Sequence, residues 1–212
     1  MMELVIKIVL GYLLGSISGS LALGALRGVD IRKSGSGNAG GTNAFRTQGL
    51  LFALGVVIID IGKGALAAYW LPGLDLPGVD LAGSNASLAL WCGSAAILGH
   101  CYPVYHGFRG GKGAGTLIGV LAVIAPSVLI PMLAVWLVVL ILTGYVGLAT
   151  MTAGVGMLAT ILVSDGCTFC ALTIFAIFMA VFLVFTHRSN IVNMSRGTER
   201  RFERAYFKNW FK

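Results

Sequence analysis

Three short polar segments interrupt an otherwise apolar chain, and each carries groups suited to binding an anion. The first covers residues 34–46 and reads SGSGNAGGTNAFR. Its glycines leave backbone N–H groups free to point at a ligand, and its hydroxyl and amide side chains add neutral hydrogen-bonding groups. The guanidinium of Arg46 is a planar fork of donors that matches a phosphate group. The candidate anion-binding residues are Ser36, Asn38, Gly40, Thr42, Asn43 and Arg46.

The same segment contains a literal match to the dinucleotide-binding pattern GxGxxG at residues 35–40. That pattern binds a pyrophosphate where a strand precedes it and a helix follows it in a βαβ unit. No strand-like run precedes residue 35, so we reject the dinucleotide alternative. The remaining alternative to an anion site is a flexible solvated loop.

The second polar segment covers residues 99–116 and reads GHCYPVYHGFRGGKGAGT. Its Gly-Gly-Lys-Gly turn leads into an apolar run, and the free N–H groups and dipole at the start of a helix favour an anion. It is not a Walker A loop, because His106 and Gly113 stand where that motif needs Gly and Ser or Thr. The alternative is that Arg109 and Lys112 do no more than mark the cytoplasmic side, but that role does not require the glycines on both sides of Lys112. The candidate anion-binding residues here are Gly110, Gly111, Lys112 and Gly113.

The third polar segment follows the last apolar run, covers residues 187–199 and reads HRSNIVNMSRGTE. His187 could act on a proton, although a histidine at a helix end is more often a structural residue. The tail at 196–212 is basic with interleaved aromatic residues, which is typical of a helix lying on anionic lipid. Nucleic-acid binding is the weaker alternative, so we expect membrane lipid as a partner and no nucleic acid.

The elements that position these segments are indicated by composition. Of 212 residues, 57% are hydrophobic and 11% are charged, whereas a soluble domain has roughly 25% charged residues. A soluble globule and a disordered chain are therefore both excluded. The apolar runs are long and do not alternate as barrel strands do, so we expect an all-α, multi-pass membrane protein.

Charge placement predicts the topology. Basic residues cluster in 27–46, in 109–112 and in the tail, whereas the segment 72–85 contains Asp75 and Asp80 and no basic residue. By the positive-inside rule, the three polar segments face the cytoplasm and 72–85 faces outward.

Chain length then sets the number of crossings. The first three helices are expected at about 4–26, 50–71 and 86–99. Residues 112–187 must leave and re-enter the cytoplasmic face, and four crossings of ~18 residues each fill them, with breaks at Pro126, 143–145 and 164–166. We predict one domain over 1–212 with seven transmembrane helices, a periplasmic N-terminus and a cytoplasmic C-terminus. The alternative is five helices with one long kinked span over 115–142.

Two charged residues fall inside the second helix. Asp60 and Lys63 are three residues apart and share a face, so we expect an ion pair that orders the bundle, with a functional role as the alternative. A transporter or channel would need more polar residues along a path through the membrane, so we do not favour that class.

Cys167 and Cys170 have CxxC spacing, but no second CxxC or HxxxH accompanies them, so we expect two buried apolar residues, no metal and no cofactor.

In order and spacing, the three segments resemble the three motifs of the bacterial acyl-phosphate-dependent glycerol-3-phosphate acyltransferases, the PlsY family. The resemblance covers essentially the whole chain. It implies a seven-helix enzyme of the bacterial inner membrane that transfers a fatty acyl group from acyl phosphate to the sn-1 hydroxyl of glycerol 3-phosphate. The products would be lysophosphatidic acid and phosphate, in phospholipid synthesis. It also implies catalysis without a cofactor, and an acyl-phosphate-forming enzyme acting upstream.

The resemblance also implies roles for particular residues. Ser36 and Arg46 correspond to essential residues of the first motif, and the glycines around Lys112 correspond to the loop that binds glycerol 3-phosphate. His187 and Asn190 correspond to a third-motif pair near the substrate, and Glu199 to a residue that supports structure. Residues 144–147, which read GYVG, depart from the family pattern because they lack the basic residue and the serine expected beside this tyrosine. The base that takes the hydroxyl proton is either His187 or a substrate phosphate. A transporter for a phosphorylated solute and a membrane-anchored scaffold are the alternative classes.

Overall fold

The computed structural model describes residues 2–74, 85–165, 170–203 and 205–209. The described residues form helices, turns and loops without a strand, which confirms the all-α prediction. The α-helices are α1 (Met2–Gly15), α2 (Gly19–Leu26), α3 (Gly41–Gln48), α4 (Leu50–Tyr69), α5 (Asn85–Cys101), α6 (Ala114–Ile124), α7 (Leu129–Thr143), α8 (Val146–Asp165), α9 (Ala171–Thr186) and α10 (Arg188–Ser195). Asp75 and Asp80, from which an outward-facing segment was predicted, and Cys167 of the CxxC pair lie outside the described residues.

Several of these helices are long and apolar enough to cross a membrane. Three of them reach that length by themselves: α4, the stretch Pro126–Thr143 that contains α7, and Val146–Ser164 in α8. Two bent pairs bring the total to five if each is one span: α1 with α2, at 47°, and α9 with α10, at 50°. An integral membrane protein is therefore confirmed, while the count of seven crossings and the orientation of the termini stay predictions.

The prediction of one continuous helix over residues 4–26 is wrong. The chain breaks between α1 and α2, where Ser16 Oγ donates to the Tyr12 carbonyl at 2.9 Å. Backbone groups exposed by the break are satisfied from α4: Lys63 Nζ donates to the Ile17 carbonyl at 2.8 Å, and Asp60 Oδ1 accepts from the Gly19 N–H at 3.1 Å. Charged side chains thus stabilise a break that would otherwise leave buried polar groups unpaired.

The chain forms two compact units, Met1–Ile124 (unit 1) and Ala125–Lys212 (unit 2). In unit 1, α1 packs on α5 and α4 packs on α6 through glycines at close approaches. A Cβ on Gly15 would collide with the Ala96 backbone, and one on Gly119 would collide with the Ile61 carbonyl. Gly11, four residues before Gly15, approaches the Cys92 carbonyl of α5 in the same way, so small residues at this spacing form a packing face of the kind that membrane helices commonly use.

Unit 2 stacks α7, α8 and α9 in chain order. The predicted break at Pro126 is confirmed, because a short 3₁₀ turn at Pro126–Val128 precedes α7. The predicted break at 143–145 is also confirmed, because Gly144 ends α7 with a left-handed φ of 73°. The helix α8 ends at Asp165, where the third break was expected. A single domain over 1–212 stays a prediction.

Candidate active site

The first-motif loop is built around the side chain of Asn43, which is 1% exposed. Its Nδ2 donates to the carbonyls of Ile31 at 3.0 Å, Ser34 at 3.1 Å and Asn38 at 3.0 Å. Its Oδ1 accepts from the Ser36 N–H at 2.9 Å. An amide nitrogen has two hydrogens, so three acceptors require that one hydrogen is shared. One amide therefore holds together a loop of eight residues, 31–38.

This arrangement gives Asn43 a role that the sequence did not suggest. Its amide is used by the loop itself, whereas direct contact with substrate stays a prediction. The Ser36 N–H is occupied by Asn43 in this structure, but the Ser36 side chain is exposed. Gly35 and Gly37 have φ values of 63° and 72°, so the loop needs glycine on both sides of Ser36.

The first loop leads directly into α3, with Gly40 as its N-cap. Asn38 precedes this cap, and a Cβ on Gly40 would lie 2.7 Å from Asn38 Nδ2, so the two residues touch. Thr42 and Arg46 lie on α3 and are both half-buried. A short helix therefore carries the hydroxyl and the guanidinium predicted for an anion, immediately after the glycine-rich loop.

The second-motif turn folds back on the end of α5. The Gly110 N–H donates to the Cys101 carbonyl at 3.1 Å, and the Gly111 N–H donates to the His100 carbonyl at 3.1 Å. These bonds satisfy carbonyls that the end of a helix leaves unpaired. Lys112 is half-buried, and Gly113 has a φ of 91° directly before α6. The N–H groups of Gly110 and Gly111 are thus engaged within the protein, and their predicted contact with phosphate is untested.

Arg32, in the loop of residues 31–38, bonds this first-motif loop to the second polar segment. One guanidinium nitrogen donates to the carbonyls of His106 at 2.9 Å and Arg109 at 3.0 Å. The rest of the guanidinium is paired with Asp30, with Nη2 to Oδ2 at 2.8 Å. Between the two bonded carbonyls lies Phe108, the one non-glycine residue of the described chain with a positive φ, at 58°. A strained backbone of this kind persists where surrounding contacts hold it, and Arg32 supplies two of them.

The Asp30–Arg32 pair also sets local protonation. The hydrogen bond from Arg32 lowers the pKa of Asp30 to about 2, so this carboxylate is ionised at neutral pH. Burial lowers the pKa of His106, and the Arg32 charge adds to the shift, so this imidazole is neutral at pH 7. In the sequence Arg32 was counted only as a topology-marking charge. Its partners lie 74 and 77 residues away, which no local pattern reveals.

The expected ion pair inside the second predicted helix is confirmed. Lys63 Nζ lies 2.9 Å from Asp60 Oδ1, and both side chains are buried. A third residue, His100, joins this pair from α5, with Nδ1 at 2.9 Å from Lys63 Nζ. His100, the second residue of the 99–116 segment, was not predicted to join this pair, because it lies 37 residues from Lys63 in the sequence.

The third motif lies in unit 2, at the junction of α9 and α10. His187 is 5% exposed, and its Nδ1 lies 2.8 Å from the Leu183 carbonyl, to which it donates. In a neutral ring this leaves Nε2 as the nitrogen that accepts a proton. Asn190 Nδ2 donates to Glu199 Oε1 at 2.7 Å, which fits the supporting role implied for Glu199.

The turn between α7 and α8 packs against this motif. A Cβ on Gly147 would lie 2.7 Å from Asn190 Cγ, so the turn approaches Asn190 as closely as glycine permits. Arg201 lies over the rings of Tyr145 and Tyr206, at 5.1 and 4.7 Å from their centroids. The turn that departs from the family pattern is thus part of the third-motif surroundings.

The tail does not form the expected interfacial helix in its described part. After α10 the described residues up to 203, and 205–209, contain one 3₁₀ turn, Phe207–Asn209, and no α-helix. The Phe202 N–H donates to the Gly144 carbonyl at 2.7 Å, so the tail is bonded to the turn before α8. Arg201 and Tyr206, two of the side chains that suggested a lipid-facing helix, contact the protein itself.

These features define an integral membrane protein in which two glycine-rich, cation-bearing loops meet, an arrangement suited to a small phosphorylated substrate. The family model described as "Glycerol-3-phosphate acyltransferase" matches residues 5–197. The chain is 39% identical over 201 residues to the glycerol-3-phosphate acyltransferase of Symbiobacterium thermophilum, covering 95% of this chain and 96% of that protein. It is 40% identical over 196 residues to glycerol-3-phosphate acyltransferase 3 of Bacillus anthracis, covering 90% of this chain and 91% of that protein.

A solved structure agrees with these relatives. The fold is similar to the crystal structure of PlsY, an integral membrane glycerol 3-phosphate acyltransferase, in its glycerol 3-phosphate form. The TM-score is 0.81 at 33% identity, covering 94% of this chain and 95% of that chain. The chain belongs to the bacterial glycerol-3-phosphate acyltransferase family, the PlsY family. The resemblance drawn from the three segments is confirmed. The predicted class of enzyme, a glycerol-3-phosphate acyltransferase, is confirmed as well.

Proposed function

We propose that this enzyme transfers a fatty acyl group from acyl phosphate to the sn-1 hydroxyl of glycerol 3-phosphate, giving lysophosphatidic acid and phosphate. The observation that carries the proposal is the joining of the first and second motif loops by Arg32, because both loops have the features of phosphate sites. The PlsY relative was solved in a glycerol 3-phosphate form and in a lysophosphatidic acid form, which correspond to acceptor and product.

The reaction needs no enzyme nucleophile. Acyl phosphate is a mixed anhydride, so the acceptor hydroxyl oxygen attacks the acyl carbonyl carbon, and the bond from that carbon to the phosphate oxygen breaks. Phosphate leaves with the electron pair, and the hydroxyl proton passes to a base. The protein then contributes positioning and charge stabilisation.

Each candidate residue has a role in this scheme. Lys112 binds the phosphate of glycerol 3-phosphate, and Gly110, Gly111 and Gly113 form the turn that presents it, with Asn190 as a further substrate-binding residue. Thr42, Asn43 and Arg46 on α3, with Asn38 and Gly40 in the loop before it, bind the acyl phosphate. Because the Ser36 N–H is held by Asn43, we assign stabilisation of the oxyanion to the Ser36 hydroxyl. The base is His187 Nε2 or a substrate phosphate.

The proposal includes the setting of the enzyme. We place it in the bacterial inner membrane as one seven-span domain, with its three motifs on the cytoplasmic face and its acyl chain supplied from the bilayer. No cofactor takes part, and an enzyme that forms acyl phosphate must act before it.

Thiol labelling tests this topology. Cysteines replace the exposed residues Lys33, Arg109 and Ser189 singly, in a background without native cysteines. A membrane-impermeant reagent should label them only after intact cells are permeabilised. Labelling in intact cells would place that motif on the outer face and end the shared-site proposal.

The function is tested with protein purified in detergent. Acyl phosphate, acyl-CoA and acyl carrier protein are compared as donors, with and without glycerol 3-phosphate, and the position of the acyl group in the product is determined. With glycerol 3-phosphate present, we expect the 1-acyl product from acyl phosphate and no product from the other two donors. A 2-acyl product would refute the sn-1 assignment, and product from another donor would refute the donor assignment.

A further inference from the structure

Three ionisable side chains from α4 and from the end of α5 lie buried together in unit 1. Asp60, Lys63 and His100 are 3%, 4% and 3% exposed. His100 Nδ1 lies 3.4 Å from Asp60 Oδ1, and Lys63 Nζ lies 2.9 Å from each partner. Removing charges from water is costly, and apolar residues of similar volume would fill this space without that cost. The buried cluster therefore needs a role beyond packing helices together.

One side of this cluster fixes the backbone that leads to the first motif. Asp60 and Lys63 bond the two ends of the break between α1 and α2, as described above. Ser20, the second residue of α2, donates from Oγ to the carbonyl of Ala39 at 3.0 Å, and both residues are buried. Ala39 lies within the first-motif segment, so the cluster is one bonded step from that loop.

The other side of the cluster contacts the second motif. An ammonium group can only donate, so with Lys63 charged His100 Nδ1 is the acceptor of this 2.9 Å contact. The Nε2 edge faces Gly111, because a Cβ on Gly111 would collide with Nε2 and lie 2.7 Å from Cε1. The main chain of His100 also accepts the Gly111 N–H at 3.1 Å. The ring and the backbone carbonyl of His100 thus both contact Gly111.

We propose that His100, held in one orientation by Lys63 and Asp60, is a positioning residue that sets the Gly110–Gly111 turn for binding the phosphate of glycerol 3-phosphate. It acts through the turn and does not touch substrate. The proposal rests on the proposed function only for the identity of the ligand at this turn. Lys63 and Asp60 act on the turn indirectly, because both contact Nδ1 of His100 and so fix the orientation of its ring.

The test uses His100→Asn, Gly111→Ala and the double variant. The asparagine oxygen takes the place of Nδ1 as the acceptor for Lys63, but the side chain no longer reaches Gly111. We expect His100→Asn to raise the KM for glycerol 3-phosphate at least tenfold, while the KM for the acyl donor changes less than twofold. Gly111→Ala should also raise the KM for glycerol 3-phosphate at least tenfold, because its methyl group meets the ring.

The double variant separates positioning from general damage. Without the ring the added methyl group has space, so Gly111→Ala should cost less than threefold in the His100→Asn background. If the two effects simply multiply, the ring does not act through Gly111 and the proposal is overturned. It is also overturned if His100→Asn raises the KM of both substrates equally.

Lys7→Met is the matched control for breaking a buried ion pair. Lys7 pairs with buried Glu3, and its Nζ donates to the Pro72 carbonyl at 2.8 Å, so neither bond involves a motif residue. This variant should lower the thermal midpoint at least as much as His100→Asn while leaving the KM for glycerol 3-phosphate unchanged. A comparable rise in KM for Lys7→Met would show that any loss of stability mimics positioning, and it would overturn the assignment.

The outcome stays readable if the proposed donor is wrong. Equilibrium binding of radiolabelled glycerol 3-phosphate to the wild type and the variants then replaces the KM. Wild-type binding without turnover from acyl phosphate refutes the donor alone. Equal binding by the wild type and His100→Asn refutes positioning alone. An absence of binding by the wild type refutes both.

Discussion

The replacement Asn43→Asp changes almost no volume, but it replaces the hydrogen-bond donors at the centre of the first-motif loop by a charged acceptor. In the structure Nδ2 faces the carbonyls of Ile31, Ser34 and Asn38, while Oδ1 accepts from the Ser36 N–H. An aspartate can still accept from the Ser36 N–H, but its second carboxylate oxygen would face the three carbonyl oxygens that Nδ2 now bonds.

The magnitude follows from the hydrogens lost. Two N–H donors disappear, and each hydrogen bond contributes about 1 kcal/mol net. Carbonyls left facing an acceptor add about 1–3 kcal/mol, which gives a total of about 3–5 kcal/mol against the ordered loop. Since 1.4 kcal/mol is a factor of ten, the population of the ordered loop falls by roughly 100-fold or more relative to its alternatives.

Two measurements check this expectation. Under turnover conditions kcat/KM should fall at least tenfold, and hydrogen exchange of the amides in residues 31–38 should accelerate. Asn193→Asp, which adds the same charge at an exposed site on α10, is the control and should change kcat/KM less than twofold. Protection and kcat/KM both at wild-type levels in Asn43→Asp would refute the assignment of this amide as the centre of the loop.

Three further predictions concern single charges. Arg46→Lys should lower kcat/KM more than tenfold in steady-state assays, because a point charge does not reproduce the guanidinium fork, and near-normal turnover would remove Arg46 from the site. Lys112→Ala should raise the KM for glycerol 3-phosphate with little change in kcat, because it removes ground-state binding, and an unchanged KM would contradict its role. Asp30 has a folded pKa of about 2 against an ordinary 3.8, so its stabilisation is complete above about pH 4 and is lost as the pH falls towards 2. Thermal midpoints of Asp30→Asn and the wild type should therefore differ at pH 7 and converge near pH 2, and a gap that persists there would show that ionisation of Asp30 is not its source.

Much of the fold could be predicted because its determinants are local. Apolar length located α4, α5 and α9, and Pro126 and Gly144 ended helices for steric reasons that any sequence displays. The break between α1 and α2 escaped prediction because its stability comes from Asp60 and Lys63, more than 40 residues away. Composition also could not tell that the aromatic and basic tail bonds to the turn at Gly144.

The candidate site divides in the same way. Glycine-rich segments with Arg46 and Lys112 were visible as residue types, because phosphate binding requires such groups. Asn43 was predicted as an anion-binding residue, but the roles of Arg32, Asn43 and His100 in holding these segments were not visible, because these residues act through backbone carbonyls and a glycine face. Those partners carry no signature in the sequence.

Direct transfer between two phosphorylated substrates is most directly tested by an acid-quenched single turnover with acyl phosphate labelled in its acyl group. With glycerol 3-phosphate present, label should pass into lysophosphatidic acid with one phosphate released per product and none bound to protein. Acyl label covalently attached to the enzyme, or phosphate released at the same rate without glycerol 3-phosphate, would contradict the account.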